Sequence, residues 1–265
     1  MSVPFDSPQR PPGAERFRLI ETMCAEAGRV AYRERHLARL GRSARRFGFA
    51  FSKEKAQAEL QRVTARLQER RQEGPRRSLP PSTDDDNRRQ RKSPPSTVHD
   101  LRFKVRLTLG PGGDFASEAA PLDEQKKQEP LRLTLAEERA DSTDPFFRHK
   151  TTWRRVYRRA FERARKRGAG EAVLLNERGE VTEATRANLF VEKKGVFYTP
   201  PVRCGLLPGI GRAVWLEREH VREYVLNRED LRDADALWLV SALRGARQAA
   251  WAAGTTPSGK GKQSG

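Results

Sequence analysis

Cysteine and long apolar runs are both scarce in this sequence. Its two cysteines, Cys24 and Cys204, lie far apart, and no C-x-x-C spacing is present. This pattern argues against a structural zinc site and is typical of buried, inert thiols. No apolar run approaches the roughly 20 residues that span a bilayer, and the first residues contain no apolar segment of a secretory signal. We therefore expect a cytoplasmic protein that has no metal site and does not cross a membrane.

Acidic residues are also few relative to basic ones, 35 against 53, which gives a formal net charge of +18. Such a charge raises the hypothesis of nucleic-acid binding. However, basic and acidic residues interleave along most of the chain, and no helix-turn-helix, zinc-finger or RNP-type pattern supplies a docking geometry. We interpret the charge as solvated Arg and Lys that attract anionic small molecules, and we keep nucleic-acid binding as the less favoured alternative.

Apolar residues make up 36% of the chain, a low share for a globular protein, so part of the chain is expected to remain unpacked. The stretch 74–97 is rich in proline and charge and has a single apolar residue, Leu79, so we predict a disordered insertion there. We predict a flexible tail over residues 1–15, an N-terminal lobe over 16–122 and a linker or entry segment over 123–143. A C-terminal lobe over 144–255 and a second flexible tail over 256–265 follow.

Apolar periodicity predicts an alternation of helices and short strands. Leu37, Leu40, Ala44 and Phe47 recur at spacings of three and four, which predicts a helix over 33–48. The other predicted elements are strands 17–24, 101–109, 172–176 and 236–241, a hairpin of 188–192 with 196–199, and helices over 53–69, from Lys150 to Gly168 and near 212–219. This combination predicts an α+β protein of two lobes.

Five short segments concentrate the residues with chemical potential. In so charged a chain, a single lysine or glutamate carries little information, and the segments gain meaning from their order. They are ETM at 21–23 with HLARL at 36–40, DPFFRHKTT at 144–152, VTEATRANLF at 181–190, GLLPGIGR at 205–212 and SALRG at 241–245.

Taken together and in this order, these segments resemble the fold-type-IV pyridoxal-phosphate enzymes. This family contains the branched-chain and D-amino-acid aminotransferases and aminodeoxychorismate lyase. The resemblance runs from about Phe17 to Gly245 and is interrupted by the insertion. It implies a small N-terminal lobe and a larger C-terminal lobe with a barrel-like sheet, with the cofactor pyridoxal 5'-phosphate between them. It also implies a homodimer whose site lies near the subunit interface.

Two residues acquire catalytic and cofactor-binding roles by this resemblance. Lys150 corresponds to the lysine that holds the cofactor as a Schiff base, a chemistry that needs an amine able to lose its proton. Glu183 corresponds to the carboxylate that accepts a hydrogen bond from the cofactor's ring nitrogen and keeps that nitrogen protonated. Lys150 is therefore the predicted catalytic residue.

The remaining roles concern anions. Arg39 corresponds to the family's phosphate-binding arginine, and guanidinium groups pair well with phosphate oxygens. The amides of Ile210 and Gly211 are expected to meet the same phosphate at a helix start, although many relatives have a hydroxyl residue where Gly211 stands. Ser241 is assigned to the phosphate site as well, and Arg244 to a substrate carboxylate.

The catalytic residues do not separate lyase from transaminase chemistry. The LIETM, HKTT and LRG strings resemble the lyase branch most, which predicts release of pyruvate and 4-aminobenzoate from 4-amino-4-deoxychorismate, a small-molecule substrate of folate synthesis. The proline-rich start resembles the linker of fused members, which suggests functional pairing with an aminodeoxychorismate synthase. The alternatives are an aminotransferase for D- or branched-chain amino acids and a basic nucleic-acid-associated protein on a retained fold.

Overall fold

The computed structural model describes residues 17–72, 102–122, 130–218 and 220–256. The predicted N-terminal tail, the insertion over 74–97 and nearly all of the C-terminal tail lie outside these residues. The strands are β1 Leu19–Glu26, β2 Arg29–Val30, β3 Arg102–Leu109, β4 Phe115–Pro121, β5 Leu131–Ala140, β6 Glu171–Asn176, β7 Val181–Ala184, β8 Asn188–Lys193, β9 Val196–Thr199, β10 Val221–Glu223, β11 Ala236–Ser241 and β12 Gly245–Trp251. The helices are α1 Arg33–Phe47, α2 Lys53–Gln72, α3 Pro145–Arg148, α4 Arg155–Lys166, α5 Ile210–Leu216 and α6 Arg228–Arg232. No helix in the described part is long and apolar enough to cross a membrane.

The smaller sheet has the strand order β2-β1-β3-β4, and all its neighbouring strands are antiparallel. In β3, Val105, Leu107 and Leu109 are fully buried in the apolar core of the N-terminal lobe. Successive side chains of a strand point to opposite faces, so Lys104 and Arg106 lie on the face away from that core. This second face forms one wall of a cleft.

Helices α1 and α2 cover the core face of the smaller sheet. In α1, Leu37, Leu40 and Phe47 are buried, and the helix ends where Gly48 adopts a positive φ of 68°. Glycine reaches this left-handed conformation without a steric penalty, which makes it a common helix terminator. The helix predicted over 33–48 is thus confirmed.

The larger sheet has the order β10-β9-β8-β11-β12-β5-β6-β7 and curls into a half-barrel. Its pairs are mixed: β12 with β5, β5 with β6 and β9 with β10 are parallel, and the others are antiparallel. All six residues of β6 are buried, since the strand lies beneath α4. The two-lobed α+β architecture with a barrel-like sheet, expected from the sequence, is confirmed.

The linker predicted over 123–143 is wrong in its second half. Leu131–Ala140 forms β5, which pairs on both sides within the larger sheet. Leu131, Leu133 and Leu135 follow strand periodicity, but the charged EER run that comes next obscured the pattern. The helix predicted near 212–219 also differs, since α5 begins two residues earlier, at Ile210.

The two lobes meet along the segment that follows α3. Leu19 of β1 forms an antiparallel bridge with Thr151, and the Thr152 amide donates to the Arg18 carbonyl at 2.9 Å. On the other side, Phe146 packs against Phe17, with ring centroids 4.9 Å apart. The start of the predicted C-terminal lobe is therefore built into the core of the N-terminal one.

Candidate active site

A cleft of about 1210 Å³ lies between the two sheets. Residues from α1, the segment before α4, β7, α5 and the end of β11 all reach it. Its lining includes every residue to which the sequence assigned a role: Arg39, Lys150, Glu183, Ile210, Gly211, Ser241 and Arg244. The fold therefore gathers into one site residues that are far apart in the sequence.

Lys150 follows the short helix α3, and its backbone is fixed from both directions. The Asp144 side chain accepts a hydrogen bond from the Phe146 amide at 2.8 Å, and Pro145 takes the first helical position, where its missing N–H costs nothing. Beyond the helix, the Lys150 carbonyl accepts from the Ile20 amide at 2.9 Å. The backbone is thus held while the side chain reaches the cleft.

The environment of Lys150 favours its neutral amine. Burial, with the added repulsion of Arg154 and Arg39, lowers the pKa of Lys150 from 10.5 to about 7. Since a charged ammonium loses solvation in the cleft, a large share of this group is neutral near physiological pH. A neutral lysine amine can act as a nucleophile and as a base.

Glu183 is a buried carboxylate with three hydrogen-bond donors. The Tyr157 hydroxyl donates at 2.6 Å, the Asn188 side-chain amide at 3.0 Å and the Leu207 backbone amide at 3.1 Å. Burial raises the pKa of Glu183 to about 7, although Tyr157 and Leu207 oppose the shift by stabilising the ionised form. A cationic partner placed against this carboxylate would complete its ionisation.

Tyr157 is a functional residue to which the sequence motifs assign no role. It lies on α4, where its side chain is buried. Burial and the nearby charge of Glu183 raise the pKa of Tyr157, so its phenol stays protonated and donates. The available signal was the hydroxyl itself, because a buried tyrosine hydroxyl needs a partner.

Arg39 is held by a carboxylate that had received no role. Its Nε and Nη2 donate to the two carboxylate oxygens of Glu21 at 2.9 and 2.6 Å, and Nη1 donates to the Pro208 carbonyl at 3.1 Å. His36 Nδ1 also contacts Glu21, at 2.7 Å. Burial alone would raise the pKa of Glu21, but Arg39 and His36 lower it to about 2. Two of the five guanidinium N–H groups of Arg39 remain for a ligand.

The start of α5 closes the cleft beside Arg39. Gly209 precedes the helix, and Ile210 and Gly211 form its first turn, where backbone amides lack helical partners. A β-carbon on Gly211 would lie 2.7 Å from the Ser241 carbonyl carbon and 2.8 Å from the Ala242 nitrogen. The tight approach of β11 therefore leaves no room for a side chain at position 211.

Ser241 and Arg244 sit on the turn after β11. The Ser241 hydroxyl accepts from the Arg244 amide at 3.2 Å, so it caps this turn as well as lining the cleft. Arg244 is exposed at the edge of the cleft. The turn is tied to the other lobe, because Arg102 of β3 donates to the Leu243 carbonyl at 3.3 Å.

The residues present fit pyridoxal phosphate. Arg39 and the first amides of α5 suit a phosphate, Glu183 suits a protonated ring nitrogen, and the Lys150 amine suits an aldehyde. The Nε2 atom of His36 is buried and has no hydrogen-bond partner among the described residues. Buried polar atoms are normally satisfied, and His36 lines the cleft, so this atom is available to a bound group. In the described part, no cluster of His, Cys, Asp and Glu side chains could hold a metal ion.

A cleft that combines a deprotonatable lysine, a buried carboxylate and an anion-binding helix start defines a cofactor-dependent enzyme. The family model for class IV amino-transferases matches residues 18–250. The chain belongs to this family, whose cofactor is pyridoxal phosphate.

Three known proteins show the range of its relatives. A branched-chain-amino-acid aminotransferase of Escherichia coli is 41% identical over 81 residues, which cover 29% of this chain and 26% of that protein. A Schizosaccharomyces pombe protein, provisionally named aminodeoxychorismate lyase, is 30% identical over 148 residues, or 53% of this chain and 63% of its own length. The crystal structure of a provisionally named amino-acid aminotransferase from Mesorhizobium loti is 33% identical, with a TM-score of 0.69 over 89% of this chain and all of that one. The matched segments thus span about a quarter of the first relative and less than two thirds of the second.

Removal of the Glu21 charge is expected to destabilise the protein at neutral pH. Glu21→Gln leaves Arg39 and His36 without a buried counter-charge, which costs about 3 kcal/mol of unfolding free energy. Because the pKa of Glu21 is lowered, its stabilisation is present above about pH 4.5 and is lost as the pH falls through about 2. Chemical denaturation of both proteins from pH 7 to pH 2 should show their stabilities converging. A constant difference, or an equal loss in the exposed control Glu34→Gln, would contradict this account.

A side chain at position 211 is expected to weaken cofactor binding. Gly211→Ala forces the start of α5 away from the turn after β11, which displaces its amides. The dissociation constant of pyridoxal phosphate, titrated into the cofactor-free protein by absorbance, should rise about 10-fold or more. Gly112→Ala is the matched control, since nothing lies within 4 Å of its added carbon. Unchanged affinity in Gly211→Ala would show that the helix start does not hold the cofactor.

The lowered pKa of Lys150 can be measured directly. In the cofactor-free protein, the acylation rate of Lys150 should rise with pH through about 7 and then level off, because the neutral amine is the nucleophile. An ordinary lysine continues to gain reactivity up to about pH 10.4. Peptide-resolved mass spectrometry after brief labelling separates the two profiles, and a Lys150 profile without a plateau below pH 9 would refute the assignment.

Proposed function

We propose that this protein is a pyridoxal-phosphate-dependent 4-amino-4-deoxychorismate lyase, which releases pyruvate and leaves 4-aminobenzoate. The observation that carries the proposal is the charge of the cleft, which is lined by ten basic side chains and two acidic ones. The basic residues are Arg39, Lys104, Arg106, Arg132, Lys150, Arg154, Arg165, Arg186, Arg244 and Arg247. The proposed substrate carries two carboxylates, whereas a branched-chain amino acid carries one. A strongly basic cleft concentrates the more anionic substrate.

The cleft residues support a position for the cofactor. Arg39, the amides of Ile210 and Gly211 and the Ser241 hydroxyl would hold its phosphate, and Glu183 would pair with its ring nitrogen. When bound, pyridoxal phosphate supplies a cationic ring that takes up the electrons released at the amine-bearing carbon of the substrate. Glu183 keeps that ring charged because its carboxylate, fixed by Tyr157, Asn188 and Leu207, stabilises the proton on the nitrogen.

Lys150 would move the protons. Its neutral amine takes the proton from C4 of the substrate, the bond from C3 to the enolpyruvyl oxygen breaks, and the ring becomes aromatic. The departing enolpyruvate gains a proton and becomes pyruvate, so atoms and charge balance. A lysine pKa of about 7 suits both directions of transfer at neutral pH, since the amine accepts and returns a proton at little cost.

Transamination of an amino acid is the second candidate. It is favoured by the 41% identity to the E. coli branched-chain-amino-acid aminotransferase, although that match covers 81 residues. The same lysine and glutamate serve both reactions. The two candidates differ in what happens after proton removal: the lyase expels a leaving group, and the transaminase returns the proton elsewhere.

A paired product assay tests the lyase. Cofactor-loaded wild type should release 4-aminobenzoate and pyruvate from 4-amino-4-deoxychorismate in equal amounts, and Lys150→Ala should lose the activity by a factor of 100 or more, on the order of the 10²–10⁴-fold contribution of a positioned base. Lys53→Ala, at an exposed lysine on α2, is the control and should keep wild-type rates. Absence of both products from wild type that still shows cofactor absorbance would eliminate the lyase and leave transamination as the function.

A further inference from the structure

Arg154 lines the cleft beside the residues that suit the cofactor. It lies between Lys150 and the start of α4 and is half-buried. Its guanidinium stands 4.2 Å from the centre of the Tyr157 ring, and its Nη2 donates to the Thr185 carbonyl at 2.6 Å. These two contacts fix the group beside Glu183, because Tyr157 donates to that carboxylate.

Most of the hydrogen-bonding capacity of Arg154 is unused. A guanidinium has five N–H donors in a planar fork, and Arg154 makes one hydrogen bond within the described part of the chain. Two other arginines of the cleft pair with a carboxylate, Arg39 with Glu21 and Arg186 with Glu171. No carboxylate of the described residues forms such a pair with Arg154. A half-buried cation with free donors in a cleft is prepared for an anion.

We propose that Arg154 binds a carboxylate of the substrate within the cleft. Ring stacking on Tyr157 holds the plane of the fork, and the Thr185 carbonyl holds one edge, so the other edge faces the ligand with little rotational freedom. Such pre-organisation suits bidentate carboxylate recognition, in which two parallel N–H groups meet two oxygens. The inference rests on the proposed function only for the identity of the substrate, since either candidate substrate carries a carboxylate.

The position of Arg154 also links binding to proton transfer. Its charge is, after burial, the strongest influence that lowers the pKa of Lys150. A carboxylate bound to the guanidinium cancels most of this repulsion, so the Lys150 amine becomes a stronger base once the substrate is in place. The lysine thus loses its proton more easily in the free enzyme and accepts one more readily in the complex.

Calorimetry with matched ligands tests the inference on cofactor-loaded protein. The ligand pairs are 4-aminobenzoate with aniline, and 4-methylpentanoate with 4-methylpentan-1-ol, which differ by the carboxylate. Arg154→Gln should weaken binding of the carboxylate in at least one pair by about 10- to 100-fold and change the uncharged partner less than about 2-fold. Arg154→Lys, which keeps the charge but loses the fork, should fall between these limits and serves if the Gln variant does not fold.

Arg155→Gln is the control, because Arg155 is the adjacent exposed arginine, also stacks on a ring, that of Trp153, and does not line the cleft. It should bind all four ligands as wild type does. Equal losses for charged and uncharged ligands in Arg154→Gln, or a wild type that prefers neither carboxylate, would overturn the inference. If the carboxylate effect is present while the product assay finds no pyruvate, the role of Arg154 stands and the lyase assignment falls.

Discussion

The pairing of β1 with the segment that follows α3 is the contact on which the site depends. Ile20 and Thr152 supply its backbone hydrogen bonds, and Lys150 lies between the points where the two lobes are joined. A lysine on a surface loop would keep its hydration and its charge. Here the backbone of Lys150 is fixed where the two lobes join, so its side chain enters the cleft and loses solvation. The lowered pKa of about 7 allows the amine to act as a base at neutral pH.

Two buried carboxylates near the cleft have pKa values that move in opposite directions. Glu21 and Glu183 are both buried, and burial favours the neutral form of each. Glu21 is contacted by two side chains that can be cationic, so it stays charged, whereas the donors of Glu183 are neutral groups and leave it poised near 7. Glu21 therefore acts as a fixed counter-charge for Arg39, and Glu183 retains the capacity to respond to a cationic ligand.

Local patterns predicted much of this fold, and long-range contacts account for what they missed. The period of Leu37 and Leu40 predicts α1 because the helix itself sets its buried face. The charged second half of β5 has no such pattern, and its strand conformation depends on pairing with distant strands. The order of the motifs supported the resemblance, which predicted that these residues lie in one site, and all of them line the cleft. The roles of Glu21, Tyr157 and Arg154 depend on their contacts with residues that are distant in the sequence. The residues next to them in the sequence do not indicate these contacts.

The distribution of ion pairs partly explains the high net charge of the protein. On the surface, Arg163 and Arg167 share Glu137, and Arg178 pairs with Glu177 and Glu180, so these charges are locally balanced. In the cleft, the few acidic groups are already engaged by Arg186 or by the neutral donors of Glu183. The cleft therefore carries an excess of positive charge, and its low dielectric strengthens the effect of that charge. An anionic small molecule that enters this cleft meets that excess of charge directly.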